Sequence, residues 1–457
     1  MRTQHSYESA PAARSVSLGI SLWPLLGALI ATASAATAQD LVHKAAPQAR
    51  PILLRGGTVH TVSGDVLERA DLLFAEGVIQ GIDVKGELAS LVNNADVIDV
   101  AGKHIYPGFI CVASTLGLTE VESVDMTLDT TEAGDVNSEV YASVAVNPDS
   151  WWLPVTRRNG VLTAGVMPQR GLVPGHVSVI RLDGWTNEDM TIERDAGLLV
   201  EWPFMGSARP RFGRRGGAGG ASGEEALARL DALLDSGAAY LSARAADPTL
   251  PVDLRLAGLS ATLRGERPVF VSATSREQIE AAVAWSLRRG IQIVLIGGRD
   301  ALACADLLSR HEVMVALTAA HRLPHRRDLA AATTYELPVA LEAAGVRWCM
   351  TLPASASSNA RNLPYEAAAC VPHGLSKAAA LRSVTLSAAE ALGVSARLGS
   401  LQKGKAATLF VADGDPFELS TQIEAAYIDG RRIALSDKQT ELAAKYREKY
   451  RQLGLTR

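Results

Sequence analysis

Tyr106–Leu118, YPGFICVASTLGL, is the stretch on which the fold turns. Pro107-Gly108 sets a tight bend, a run of apolar and small residues follows from Phe109, and Gly117 ends it. A short apolar run bounded by turn residues reads as a buried strand. Different patterns lie on its two sides, so the stretch is a junction.

Toward the N-terminus, Pro51–Val84 alternates apolar and polar residues between Gly-Gly, Ser-Gly-Asp and Glu-Gly turns, the pattern of an antiparallel sheet. Arg397–Ile433 has the same character. Between the two flanks, apolar strands alternate with helical patterns, which implies parallel α/β architecture. PVFVSA (268–273), IQIVLIGG (291–298), VMVALTAA (313–320) and RWCMTL (347–352) are the clearest strands, and each is followed by apolar residues at three- and four-residue spacing. GVLTAGVM (160–167) and VSVIRLDG (177–184) supply a second and third strand, with long loops around them.

A chain of 457 residues holds one large core and a smaller one. With 47% apolar residues, 21% charged and a net charge of −4, it is an ordinary globular chain with no basic face for nucleic acid. Arg2 and Arg14 precede an uncharged apolar stretch that ends in Ala36-Thr37-Ala38. That predicts a signal peptide over residues 1–38 and a periplasmic or extracellular protein with no stable membrane insertion once it is cut. An uncleaved anchor is the rival reading, opposed by Pro24 and the small residues after Ile30. The cysteines at 111, 304, 349 and 370 form no metal or redox spacing. Cys111 and Cys349 fall in the first and last strands, so a bridge between them is one expectation and buried free thiols the other. Ser207–Glu225 is rich in glycine and arginine and reads as a flexible insertion, or functionally as a lid or anion-binding arm. Residues 436–457 predict a closing helix capped by Ser436 and Gln439. Its face of Leu442, Tyr446, Tyr450 and Leu453 packs on the protein or serves an oligomer contact.

The junction AGKHIYPGFICVASTLGL (101–118) resembles the point where amidohydrolase-superfamily enzymes pass from a small β-sandwich into the first strand of a barrel. Gly399–Ala407 is similar to the Gly-Ser-Leu-x-x-Gly-Lys-x-Ala signature of that sandwich, although Thr408 stands where the family usually has Asp. NARNLPYEAA (359–368) is similar to exported imidazolonepropionase-like members. The resemblance implies an α/β fold: a TIM-type (β/α)8 barrel over residues 108–396, with a discontinuous small β-sandwich made of 51–107 and 397–435. It also implies hydrolysis of carbon–nitrogen bonds outside peptides, with one or two bound metals.

The family's ligand positions are where this chain departs. Asp-x-His-x-His of the first strand is here Cys111, Ala113 and Thr115. The fifth strand offers Ser272 for a metal-binding His, the sixth ends in Gly297-Gly298, and no Asp stands between Arg347 and Arg361 to act as acid-base. From the residues present we expect no cofactor, no metal and no assignable catalytic residue. The chain reads as a ligand-binding or assembly protein on this scaffold, taking a small molecule and pairing with an intact amidohydrolase or with itself. The alternative is an active hydrolase with a remodelled site holding zinc, manganese or iron.

Residues that could line a ligand site or rebuild one are few. His176 opens a candidate strand, where a hydrogen-bonded structural His is the commoner occurrence. His321 and His325 have helical spacing, but Pro324 disrupts that helix. Ser357 and Asn359, after the eighth strand, supply a hydroxyl and an amide. The loop 116–156 carries eight acidic residues and no Lys or Arg, suited to a cationic ligand or simply to solvent. No G-x-S-x-G elbow occurs, and the Ser400 to Lys403 spacing lies inside the sandwich signature.

Overall fold

Two eight-stranded sheets account for the two patterns. The computed structural model describes residues 42–88, 94–205 and 223–455; the leader read over 1–38 and the glycine-arginine tract as far as 222 lie outside the described residues. Among the described residues no helix is long and apolar enough to cross a membrane.

The first sheet draws on both flanks of the sequence. It contains β1 (Ile52–His60), β2 (Val66–Ala75), β3 (Val78–Asp83), β4 (Asp96–Asp99) and β5 (His104–Pro107). β14 (Leu409–Ala412), β15 (Ile423–Ile428) and β16 (Arg431–Arg432) come from the far end of the chain. β14 runs antiparallel to β5, with Phe410 opposite Tyr106, so the two flanks meet as neighbouring strands. Leu54, Leu72, Phe74, Ile105, Leu409 and Tyr427 pack its core. The Gly399–Ala407 signature has a local cause. Gly399 sits at φ +85°, and a Cβ there would lie 2.7 Å from Ala389 Cβ and 2.9 Å from Leu386 Cα. Lys405 Nζ then donates to Ser395 O at 2.6 Å, Leu398 O at 3.2 Å and Ser400 Oγ at 2.7 Å, fixing the loop that enters β14.

The second sheet keeps chain order from edge to edge: β6 (Phe109–Ser114), β7 (Val161–Val166), β8 (Gly175–Arg181), β9 (Thr191–Glu201), β10 (Val269–Ala273), β11 (Ile293–Gly297), β12 (Met314–Thr318), β13 (Trp348–Thr351). It is barrel-like. Ile110 of β6 and Cys349 of β13, its two edge strands, belong to one buried cluster with Val179, Leu199, Phe270, Ile296 and Ala316. Across the seam the Thr351 hydroxyl accepts a hydrogen bond from Ala113 N at 3.0 Å. β9 to β13 run parallel, as do β6 and β7.

The sheet is not parallel throughout, as the sequence had suggested. β8 is antiparallel to both β7 and β9. Connection length explains this: a parallel crossover needs a dozen or more residues, and the links on either side of β8 are shorter. β8 therefore enters from the end at which its neighbours leave, which sets His176 level with Leu198 near the carboxyl end of β9.

Of the two cysteine readings, buried free thiols hold, while the expectation for the closing helix changes. All four cysteines are free and buried; Cys111 and Cys349 lie in different packed clusters, so their thiols face different layers. The closing helix, Lys438–Gln452, is capped by Asp437, whose carboxylate accepts from Thr440 N at 2.7 Å while Thr440 Oγ1 accepts from Asp437 N at 2.9 Å. Aspartate caps at least as well as serine, and the reciprocating Thr440 settles the register one residue later. Leu442, Tyr446, Tyr450 and Leu453 are exposed rather than packed on the protein.

Asp183, just past β8, ties both sheets together. Its fully buried carboxylate is 3.0 Å from Arg157 Nη1 and 3.2 Å from Arg431 Nη1, and it also accepts from Ala45 N at 3.3 Å. Removing one partner of a buried ion pair strands the other. Asp183→Asn is expected to lower stability by about 3–5 kcal/mol in urea unfolding.

Candidate functional site

The carboxyl ends of the strands in a barrel of this kind gather residues from several loops, so the site is built there strand by strand. At the end of β6, Thr115 is only 2% exposed. Its N–H donates to Ser357 Oγ at 3.0 Å, and its hydroxyl lies 2.6 Å from the same Oγ. The hydroxyl donates to Ala354 O at 3.2 Å and accepts from Thr119 Oγ1 at 3.2 Å. One O–H and two lone pairs are all a hydroxyl has. With Ser357 as donor in the short contact, every hydrogen finds an acceptor and Thr115 is saturated.

Cys111 and Ala113 share Thr351 in place of an ion. Cys111 Sγ donates weakly to Ala113 O at 3.4 Å and lies 3.9 Å from Thr351 Oγ1; burial pushes its thiol up to about 11, away from the thiolate a metal would need. At the end of β11, Gly297 has φ +116°, and a Cβ there would lie 2.7 Å from Ala273 O. No side chain fits that position without moving backbone. Among the described residues no group of three or more His, Cys, Asp or Glu is arranged to hold a metal. The positions offer a thiol, a methyl, two hydroxyls and no side chain, and this set does not fit a hydrolytic divalent ion.

Ser272, at the end of β10, leads to a residue that the sequence reading passed over. Glu201, the last residue of β9, is partly buried; desolvation raises its carboxyl above the ordinary range, and a hydrogen bond from the Ser272 hydroxyl partly offsets this. Its strand was missed because β9 begins TIERD, whose charges hide the apolar run that starts at Ala196.

His176, His321 and His325 are not brought together. His176 is fully buried, with Nδ1 2.9 Å from Asp195 Oδ1, Nε2 donating to Ser138 O at 2.8 Å, and its ring stacked on Tyr141 at 4.5 Å. Both nitrogens are committed to acceptors. His321 Nδ1 is 3.2 Å from Glu366 Oε2, whereas His325 Nε2 is 3.2 Å from Asp300 Oδ1. Burial first, then nearby arginines, lower the His325 imidazole below its usual value. Pro324 does interrupt the helical spacing, and the segment is a loop.

His321 and Asn359 share a cavity of about 1000 Å³ beyond the ends of β12 and β13, walled also by Leu352, Tyr365, Glu366 and Phe417. Glu366, from the helix Leu363–Ala368, shapes it: the buried carboxylate accepts from Ala320 N at 2.6 Å and His321 N at 2.9 Å, which pins the loop after β12. The acidic loop is tied down rather than free. Glu122 accepts from Ser358 Oγ at 3.1 Å, Asp135 pairs with Arg229 at 3.0 Å, and Asp149 pairs with Lys44 at 3.1 Å.

Comparisons with known proteins agree on the scaffold. A profile of the amidohydrolase family matches residues 271–438. Amidohydrolase tasK from Hapsidospora irregularis is 22% identical over 405 residues, covering 79% of this chain and 39% of that protein, so the chain spans well under half of its length. A solved amidohydrolase from Thermotoga maritima superposes with a TM-score of 0.72 at 21% identity, covering 84% of this chain and 99% of that one. Molinate hydrolase superposes at 0.52 with 15% identity, over 86% of this chain and 96% of the other. At these identities the likeness is one of fold.

Two outcomes test this geometry. Thr115→Val keeps the backbone bond to Ser357 but strands the Ser357 and Thr119 hydroxyl hydrogens and Ala354 O, and should cost about 1–3 kcal/mol in urea unfolding. Glu201, protonated more readily folded than unfolded, stabilises fully below the ordinary Glu value of 4.5, and that contribution is lost as pH rises through the raised folded value. Glu201→Gln should therefore flatten part of the fall in stability as pH rises above the ordinary Glu value of 4.5, read from denaturation midpoints across pH.

Proposed function

The chain belongs to the amidohydrolase superfamily, and we propose that on this scaffold it is a non-catalytic, exported ligand-binding protein. The second sheet is read as the family's (β/α)8 barrel with an antiparallel excursion at β8, and the first as its discontinuous sandwich. The observation that carries the functional reading is the saturated Thr115 hydroxyl. Its lone pairs are filled by Ser357 and Thr119, so the position from which the family binds metal has no electrons to offer. The larger cavity beside His321 and Asn359 is where the ligand binds. Its mixed lining suits a small polar molecule with an apolar part. A companion amidohydrolase or a second copy of the chain is the partner expected of such a protein.

A second reading, hydrolysis at a remodelled site, is favoured by Glu201 alone, a partly buried carboxyl with a raised protonation range beside Ser272. Elemental analysis separates the two. After incubation with zinc, manganese and iron and removal of loose ions, the purified protein should hold no stoichiometric metal. One bound equivalent that disappears in Glu201→Gln would overturn the binding-protein reading. In a thermal-shift screen of small molecules, ligands of the larger cavity should raise Tm in the parent chain and lose that effect in His321→Ala and Asn359→Ala.

A further inference from the structure

The loops after β10, β11 and β12 carry arginines that have no part in the hydroxyl network or the larger cavity. Arg276 opens the helix after β10, Arg299 follows Gly298 beyond β11, and Arg322 and Arg326 lie beyond β12. They line a second cavity of about 590 Å³, within the usual size for a small ligand. Two of the four have partners: Arg276 Nε is 2.8 Å from Glu280 Oε1, and Arg326 Nε is 3.2 Å from Asp328 Oδ1.

Arg299 and Arg322 do not have such partners. Nε of each is closed off from solvent with no hydrogen-bond partner. Arg299 Nε is 3.5 Å from Asp300 Oδ1, too long for a good hydrogen bond, and that carboxylate is shared with His325. Arg322 feels Asp300 and Glu366 only through space, while burial and the like charge of Arg299 act against its guanidinium. Partly buried cations with unsatisfied N–H groups call for a counter-ion. A guanidinium fork matches a carboxylate or a phosphate.

The rest of the lining narrows the choice. Leu302, Leu329 and Leu337 give apolar walls, and the four arginines face three carboxylates, Glu277, Asp300 and Glu336. With Arg276 and Arg326 already paired to Glu280 and Asp328, the three lining carboxylates stand beside Arg299 and Arg322 and favour a singly charged ligand over a doubly charged one. We propose that this cavity binds a small organic monocarboxylate, its carboxylate held by Arg299 and Arg322 and its apolar body against the leucines. The site is separate from the larger cavity, and its test does not depend on what binds there.

Sodium benzoate is the probe, titrated calorimetrically into the full chain at fixed ionic strength, with inorganic phosphate as the comparison. Benzoate should bind one to one and more tightly than phosphate. Arg322→Gln should weaken benzoate about tenfold or more, as loss of a charge-assisted pair does, and Arg322→Lys should restore only part of that. Glu336→Gln, which removes a lining carboxylate without touching the arginines, should narrow the preference for benzoate over phosphate. Absence of benzoate binding, phosphate binding more tightly than benzoate, or benzoate affinity unchanged by Arg322→Gln would each overturn the proposal.

Discussion

Asp183 is the point at which the parts of this molecule are held together. Its carboxylate takes Arg157 from the helix after β6, Arg431 from the first sheet, and Ala45 N from the segment that leads into β1. Arg157 also donates to Leu182 O and His43 O. One buried anion between two guanidinium groups has nowhere else to discharge its field, so the two sheets cannot shift without leaving charge unpaired in a dry interior. The strand ends at which the candidate site sits inherit their relative positions from that constraint.

Within this frame the ends of β6 and β13 are joined by neutral groups. A metal bound by side chains from several strands ties them together at the expense of burying charge. At the same positions here, hydroxyls do the tying without charge: Ala113 to Thr351 across the seam, and Thr115 to Ser357 and Thr119 beyond it. Each such bond contributes about 1 kcal/mol, far less than a structural ion, but the network leaves no orphaned donor and excludes an ion by occupying its lone pairs.

Much of this was legible in the sequence. The junction at Pro107-Gly108 and β10 to β13 follow from periodicity and turn residues, because each strand there is a clean apolar run, whereas the pairing of the distant flanks into one sheet came from the family resemblance. β9 did not, since its first five residues are largely polar and its buried part is indistinguishable from a loop end. β8 was seen but its direction was not, because direction depends on the length of its links and not on its own residues. The Thr115 to Ser357 contact joins residues 242 positions apart and leaves no local trace. Glu201 escaped with its strand. Asp437 displaced Ser436 as the helix cap because the group that reciprocates is the hydroxyl of Thr440 rather than the amide of Gln439.

Gly297 shows why a degenerate site is not restored by a single change. Its φ of +116° and the 2.7 Å gap from a built Cβ to Ala273 O mean that the backbone of β10 and β11 has closed where a ligand side chain would stand. A histidine placed there would first have to push strands apart, and β10 is held in register with β11 from Val269 to Ala273. Thr115 poses the opposite problem: a larger side chain would evict Ser357 and leave its loop without an anchor. The two positions resist for independent reasons, one of space and one of hydrogen bonding. Backbone at one position and side chains at the other thus both stand against a histidine, and this is the support for the ligand-binding reading proposed above.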